Sequence, residues 1–245
     1  MSPAKKSPPH TPHVRTVRTF RRFTRLQRWE HGLLILTVLL LLLTGLPQKY
    51  RATEWSHQLL STPERVASLQ QIHHITAIFL GVLAVYHLFN AFYLMFRRRL
   101  SADMFPNLQD VKDAWHTLLY LLFIKKTRPS FGKYNFEQKV TYWFIFFGIA
   151  ILGASGLVLR YPEIVTRFLP GGIIPAAKLA HSNEALVLAI FILIWHFYHV
   201  HIERLNLSIF TGWLNSEDMH TYHTLEYRHQ TGRLNEKPKS GEKKS

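Results

Sequence analysis

The segment Ala180–His201 reads AHSNEALVLAIFILIWHFYHVH, and its composition decides how the rest of the sequence is interpreted. Its middle, Ala185–Trp195, contains neither a charged residue nor an amide, whereas histidines stand near both ends. A polar group buried in hydrocarbon costs free energy unless it is hydrogen-bonded or bound to a metal. The pattern therefore predicts a membrane-spanning helix whose histidines bind a ligand at two depths.

Three other stretches of the 245-residue chain are nearly free of polar side chains: Leu33–Leu46, Ile75–Phe96 and Val140–Leu159. At about 1.5 Å of rise per residue, each stretch with its flanking residues crosses a hydrocarbon layer of roughly 30 Å. We therefore predict an all-α integral membrane four-helix bundle in residues 20–203. Its spans are expected at about 30–48, 72–96, 140–160 and 179–202.

Lysine and arginine are distributed unevenly over the segments that join these spans. Residues 1–28, residues 97–139 and the tail after His201 hold 24 of the 30 basic residues, and the two other loops hold 6. The positive-inside rule then predicts that both termini and the 97–139 loop are cytoplasmic, in a bacterial inner membrane. The same asymmetry accounts for the net charge of +15, so we expect no nucleic-acid partner.

Three segments lie outside the predicted spans. Residues 1–19 are rich in proline and lysine and are predicted to be disordered. Residues 204–245 form a polar cytoplasmic tail in which we expect little regular structure. Between spans two and three, apolar side chains recur at helical spacing from Val111 to Leu122, with Asp110 before them and Lys125 after. This pattern predicts a cytoplasmic interfacial helix lying on membrane lipid.

The chain contains no cysteine. This excludes a c-type haem attached through CxxCH, an iron–sulfur cluster with Cys ligands and a disulfide. The sequence also lacks a recognisable nucleophile–base pair. Any iron–sulfur cluster or c-type haem, and the substrate chemistry itself, would therefore belong to a partner.

Histidines at matching depths on different spans point to non-covalently bound haem. A haem b takes two axial ligands from opposite faces, and facing helices of a bundle supply that geometry. His181 lies at the outer end of the fourth span, and His196 lies roughly 22 Å further in, within about 60° of the same face. The predicted outer pair is His181 with His73 or His74, and the predicted inner pair is His196 with His31. Glycines inside the spans, such as Gly45 and Gly156, would let a flat macrocycle or a neighbouring helix approach closely.

Two further histidines leave the inner pair open. His87 follows His73 by 14 residues at inner depth and is an alternative to His31, and His199 is an alternative to His196. The sequence thus predicts two haem b groups per chain. The predicted iron ligands are His31, His73, His181 and His196, with His74, His87 and His199 as alternates.

A series of motifs runs from Phe20 to Tyr227. FTRLQRWEHG (23–32) stands before the first span, LLTGLP (42–47) lies late in it, and IHHITAIFLG (72–81) opens the second. GKYNFEQKVTYWF (132–144) opens the third span and ASGLVLRYP (154–162) closes it. AHSNEA (180–185) begins the fourth span and IWHFYHVH (194–201) ends it. Together they resemble the four-helix di-haem cytochrome b subunit, the gamma subunit, of membrane-bound formate dehydrogenases. Cytochromes b of hydrogenases and thiosulfate reductases are related to it. The KYN-x-x-QK signature at residues 133–139 is the most specific motif.

The resemblance implies an outer haem held by spans two and four and an inner haem held by spans one and four. It favours His73 over His74, because the small residue Ala77 follows His73 by four positions, as in the family.

The resemblance also implies a quinone site on the inner side at Asn135 and Gln138, near the expected position of His199. Asn135 is alternatively the N-cap of the third helix.

The chain departs from the family in two places. The spacing from His181 to His196 is one residue longer, which predicts a bulge or a rotated ligand in the fourth span. Phe136 and Glu137 stand where the family has Ala-Gly, which alters the floor of the implied quinone site.

The sequence therefore predicts a respiratory membrane cytochrome b that conducts electrons between an extracytoplasmic redox partner and the quinone pool, menaquinone or ubiquinone. Its own half-reaction would be quinone reduction or quinol oxidation. One alternative is a cytochrome b that passes electrons from quinol outward to a multihaem cytochrome c or another external acceptor. The other is a non-redox membrane protein whose histidines bind a metal or conduct protons.

Overall fold

The computed structural model describes residues 19–98, 102–127, 129–202 and 205–232. Its helices are α1 (Arg25–Lys49), α2 (Glu54–Leu59), α3 (Pro63–Phe96), α4 (Leu108–Leu121), α5 (Phe136–Arg160), α6 (Pro162–Val165), α7 (Ile173–Phe191), α8 (Ser208–Thr211), α9 (Ser216–Tyr222) and α10 (Thr224–Thr231). The strands are β1 (Thr19–Arg21) and β2 (Trp213–Asn215). A 3-10 turn, Ala102–Met104, precedes α4, and two π-helical turns, Ile192–His196 and Tyr198–Ile202, continue α7.

Four segments are long and apolar enough to cross a membrane: Arg25–Lys49, Pro63–Phe96, Phe136–Arg160 and Ile173–Ile202. The predicted helical membrane fold is therefore confirmed, with one two-stranded ribbon added to it. The spans expose most of their large side chains, since Phe89 is 74% exposed and Leu193 is 69% exposed. An apolar surface of this extent is unfavourable in water and fits a hydrocarbon surrounding.

The spans pack in two pairs. Helix α1 packs mainly against α3, and α5 packs mainly against α7, while α7 also contacts α1. Phe144 of α5 and Phe191 of α7 stack with their ring centroids 4.0 Å apart. Helices α1 and α3 form one pair, and α7 belongs to the other. A ligand bound by α7 together with α1 or α3 therefore links the two pairs.

Helix α7 changes to π geometry at Ile192, where the backbone N–H of Phe197 donates to the carbonyl of Ile192. A π turn accommodates one residue more than an α turn, and such turns are frequent at functional sites. This is the bulge predicted from the longer spacing between His181 and His196. It absorbs the additional residue before His196, so that His196 lies against His31 of α1.

The predicted interfacial helix is present as α4. Asn107 caps it, and Asp110 bonds back to the Asn107 backbone N–H at 2.7 Å. The buried ammonium group of Lys139 lies 2.8 Å from Asp110, which ties α4 to the start of α5. Trp143 Nε1 also donates to the Met104 carbonyl at 3.0 Å.

The tail is more structured than the sequence indicated. Strand β2 pairs antiparallel with β1, and Phe20, Leu214 and Met219 form a small core with Tyr227 packed against it. The expectation of little regular structure was therefore wrong for residues 205–232. The pairing joins segments almost 200 residues apart, so no local sequence pattern predicts it. The predictions for residues 1–18, 203–204 and 233–245 lie outside the described residues.

Candidate functional site

The outer site consists of two half-buried histidines from different helix pairs. His73 of α3 and His181 of α7 face each other with ring centroids 6.3 Å apart. The structure thus brings together the outer pair that the sequence predicted.

Each outer histidine has a hydroxyl partner on the neighbouring helix. His73 Nδ1 lies 2.9 Å from Thr44 Oγ1. His181 Nδ1 lies 3.1 Å from Ser155 Oγ and 3.1 Å from the Leu152 carbonyl. The two halves of the site therefore repeat one arrangement, in which a hydroxyl group of the neighbouring helix lies beside Nδ1 of the histidine.

A glycine lies beneath each outer imidazole. A Cβ atom on Gly45 would meet His73 Cε1 at 3.3 Å, and one on Gly156 would meet His181 Cε1 at 3.2 Å. The absence of a side chain at these two positions allows the rings to lie directly against the helix backbone. Gly148 instead makes room for Glu184 and Leu188 of α7, which is helix packing.

The inner site pairs His31 of α1 with His196 of α7, and the ring centroids are again 6.3 Å apart. Phe210 of α8 lies edge-on to His31 at 6.1 Å. His31 Nδ1 is buried without a hydrogen-bond partner among the described residues. The inner pair therefore has the spacing of the outer pair but a different surrounding.

The spacing of both pairs fits the ligation of one iron by two imidazoles. A metal–imidazole bond of about 2 Å and a ring radius of about 1.1 Å, counted on both sides, give a centroid separation of roughly 6.2 Å, close to the 6.3 Å of both pairs. Imidazole nitrogen is an ordinary axial ligand of haem iron. The residues present therefore fit a bis-histidine haem at each end of α7.

The alternate ligands lie elsewhere. The ring of His74 is exposed, 6.4 Å from the ring of its chain neighbour His73. His87 Nδ1 lies 2.9 Å from Glu30 Oε2, and its Nε2 lies 3.3 Å from the Tyr142 hydroxyl.

His199 lies against the ring of Trp195 at 4.6 Å, and its Nδ1 is 3.9 Å from Glu137 Oε2. Within the described ranges, no group of three or more His, Asp or Glu side chains is placed to hold a metal ion.

The residues of the implied quinone site form the N-terminus of α5. Asn135 is 2% exposed and caps the helix, accepting from Gln138 N at 2.8 Å. The Asn135 Nδ2 group donates to Glu137 at 3.1 Å, and Gln138 Oε1 accepts from Asn135 N at 3.2 Å. The capping role considered for Asn135 is therefore confirmed. Arg22 Nη2 reaches the same group, 3.5 Å from Gln138 Oε1.

The segment after the fourth span contacts the loop that leads into this helix. The buried ring of His223 lies 3.0 Å from the Gly132 carbonyl, and Leu225 N donates to the Phe131 carbonyl at 3.1 Å. Arg22 donates to the Lys133 carbonyl at 2.6 Å. Arg22 and residues 223–225 thus hold the segment 131–133 in place.

Sequence reasoning missed the hydroxyl partners of the outer histidines and the carboxylate partner of His87. For the first, a signal was present, because Thr44-Gly45-Leu46 and Ser155-Gly156-Leu157 share one pattern at the outer ends of spans one and three. For the second, Glu30 precedes His31 directly, and only the packing of α1 against α3 shows that it reaches His87.

Comparison with known proteins gives a consistent result. Residues 22–213 match the family described as prokaryotic cytochrome b561. The formate dehydrogenase cytochrome b556(fdo) subunit of Escherichia coli (strain K12) is 25% identical over 202 residues, covering 81% of this chain and 87% of the relative. The subunit of the same name from Escherichia coli O157:H7 matches to the same extent.

Proposed function

The chain belongs to the prokaryotic cytochrome b561 family, and we propose that it conducts electrons through two haem b groups between an extracytoplasmic redox partner and the quinone pool. Family membership and the four apolar helices make it a haem b protein that crosses a bacterial membrane several times. It is a membrane cytochrome b of respiratory electron transfer.

The observation that carries the proposal is the equal spacing of two histidine pairs at opposite ends of α7. His73 with His181 and His31 with His196 both have centroid separations of 6.3 Å, which suits one iron between each pair. Two haems held in this way supply a path for single electrons across the membrane. The chain's contribution is to hold the ligands at fixed depth and to exclude water from them.

The orientation follows from the charge distribution. The basic segments favour a cytoplasmic position for both termini and for the loop before α5. His31 and His196 then lie at the cytoplasmic end and His73 and His181 at the outer end.

A redox partner would dock at the outer end. The relatives are cytochrome subunits of formate dehydrogenase, which supports association of this chain with a redox enzyme subunit. Because this chain has no cysteine, iron–sulfur clusters or c-type haems would belong to that partner.

The quinone site is proposed at the start of α5, beside the inner pair. The contact between Glu137 and His199 joins the start of α5 to the π turns that continue α7. Trp195 Nε1 also donates to Thr141 Oγ1 at 3.1 Å between these two segments. Quinone reduction takes up two protons with two electrons, so its site needs hydrogen-bonding groups and access to water. Asn135, Gln138 and His199 provide such groups on the cytoplasmic side. Electrons moving inward and protons taken from the cytoplasm would together build a membrane potential.

Haem content tests the proposal. A pyridine haemochrome assay on the purified native complex should give two non-covalent b haems for this subunit, and redox titration should resolve two potentials. The isolated subunit should exchange electrons with quinol analogues but turn over no formate, hydrogen or thiosulfate. A complex without b haem would contradict the proposal, and so would turnover of any of these substrates by the subunit alone.

A further inference from the structure

We infer that Thr44 and Ser155 are positioning residues for the outer histidines and give the outer haem a lower reduction potential than the inner haem. The inference rests on the two haem sites proposed above. It concerns how this chain's own hydroxyl groups act on the axial ligands.

The hydrogen bonds of Thr44 define the tautomer of His73. The Thr44 hydroxyl has a single proton, and it donates that proton to the Leu40 carbonyl at 2.7 Å. The same oxygen lies 2.9 Å from His73 Nδ1, and with its proton on the shorter contact to Leu40 it accepts a hydrogen bond from Nδ1. His73 is therefore protonated at Nδ1, and the lone pair on Nε2 is left for a metal.

Ser155 acts on His181 in the same way. Its hydroxyl donates to the Ile151 carbonyl at 2.6 Å and lies 3.1 Å from His181 Nδ1. The Leu152 carbonyl, also 3.1 Å from His181 Nδ1, can only accept. Both contacts require a proton on Nδ1, so His181 also presents an unprotonated Nε2.

Of the inner pair, His31 lacks this arrangement among the described residues. His31 Nδ1 is buried without a partner in the part of the chain that the structure describes. A ligating imidazole that donates its second N–H to an acceptor is a more basic ligand. A more basic ligand stabilises the ferric state and lowers the reduction potential. The outer haem should therefore have the lower potential, which favours electron flow from the outer end to the inner end.

The test is a redox titration of the purified native complex carrying Thr44→Val and Ser155→Ala together. Loss of both hydroxyls should raise the lower of the two potentials, with about a tenfold change in the ferric–ferrous equilibrium, or ~59 mV for a one-electron couple. The higher potential should not move. The g-values of the outer ferric haem in the electron paramagnetic resonance spectrum should change with it.

Matched variants separate this effect from a general effect on packing. Thr37 lies on the same helix and donates to the Leu33 carbonyl at 2.8 Å, and it has no hydrogen bond to a histidine among the described residues. Thr37→Val should therefore leave both potentials unchanged. Thr44→Ser with Ser155→Thr keeps both hydroxyls and should restore the wild-type value. If the double variant loses the outer haem, the single variants are titrated in its place, because each keeps one hydroxyl.

Two results would overturn the inference: unchanged potentials in a variant that retains both haems, or a shift confined to the higher potential. Fewer than two b haems in the wild-type complex would instead overturn the proposed function, together with the inference that rests on it. The haem assay therefore distinguishes the two failures.

Discussion

The outer and inner ends of the bundle hold their histidines at the same spacing in different surroundings. At the outer end, His73 and His181 each lie over a glycine and beside a hydroxyl group. At the inner end, His31 lies beside Phe210, and its Nδ1 has no partner among the described residues. The shared spacing of 6.3 Å suits the one iron that we propose for each pair, whereas the groups around the two pairs differ.

The two ends also differ in which parts of the chain build them. The outer site is made by residues of the four spans alone. The inner site includes Phe210, which belongs to the segment after the fourth span, and Gly212 of that segment accepts a hydrogen bond from Arg22 N at 2.8 Å. The inner end is thus coupled to the folded tail, and perturbations of the tail should reach it and not the outer end.

Removal of one ligand from each end should have the largest effect. We expect His181→Ala to lose the outer haem and His196→Ala to lose the inner haem, since a single imidazole cannot hold a bis-histidine haem. Haem content and redox titration of the native complex check this, with two potentials reduced to one in each variant. Retention of both haems by His196→Ala, with loss of one from His87→Ala or His199→Ala, would show that the inner assignment is wrong.

Filling the space under an outer imidazole should act on the outer end alone. Gly156→Val places a branched side chain where even a Cβ would lie 3.2 Å from His181 Cε1, so the outer haem should be lost from most of the protein. Gly153→Val is the matched control, because nothing lies within 4 Å of a Cβ on Gly153 of the same helix. Equal loss of haem in both variants would mean that valine disturbs α5 generally.

Two substitutions of Asn135 separate quinone binding from helix capping. Asn135→Leu removes both the amide and the cap, and it should slow quinone reduction severalfold while both haem spectra stay nearly unchanged. Asn135→Ser keeps a good N-cap without the amide and should be slow as well, because serine replaces asparagine at an N-cap with little loss. Full quinone activity of Asn135→Ser would show that Asn135 only caps the helix. The rate of quinone reduction by Gln138→Leu would then test whether Gln138 binds quinone.

Loosening the tail should produce a smaller effect, confined to the inner end. His223→Ala removes the hydrogen bond to the partly buried Gly132 carbonyl, and a typical intramolecular hydrogen bond contributes about 0.5–1.5 kcal/mol to stability. We expect faster amide hydrogen exchange in residues 129–136 and 205–232, with the exchange of α3 and α7 near His73 and His181 unchanged. His229→Ala, an exposed histidine on α10, is the control. Faster exchange at the outer end would contradict the separation of the two ends.

The smallest effect is expected from His87→Phe. Both ring nitrogens of His87 are occupied by Glu30 and Tyr142, so the variant should keep two haems with unaltered spectra. Because Glu30 precedes His31, a slight change in the inner potential is expected and none in the outer one. Loss of a haem would instead identify His87 as a ligand.

Much of this architecture is visible in the sequence. Four apolar runs predicted four spans, and depth along those runs predicted that His181 would meet His73 or His74 and that His196 would meet His31 or His87. The structure pairs His181 with His73 and His196 with His31. The additional residue between His181 and His196 predicted the bulge that the π turn provides. These properties are one-dimensional, because hydropathy and helix rise follow directly from the order of residues.

The hydrogen-bond partners of the histidines were not predicted from the order of residues. That Thr44 meets His73, that Ser155 meets His181 and that Glu30 meets His87 depends on which faces of neighbouring helices pack together. The folded tail likewise depends on β1 finding β2 across almost the whole chain. The sequence alone determined how deep each histidine lies in the membrane, and only the tertiary structure decided what each imidazole touches. The reason is that helix rise sets depth locally, whereas hydrogen bonds between helices depend on rotation and contact that no single helix specifies.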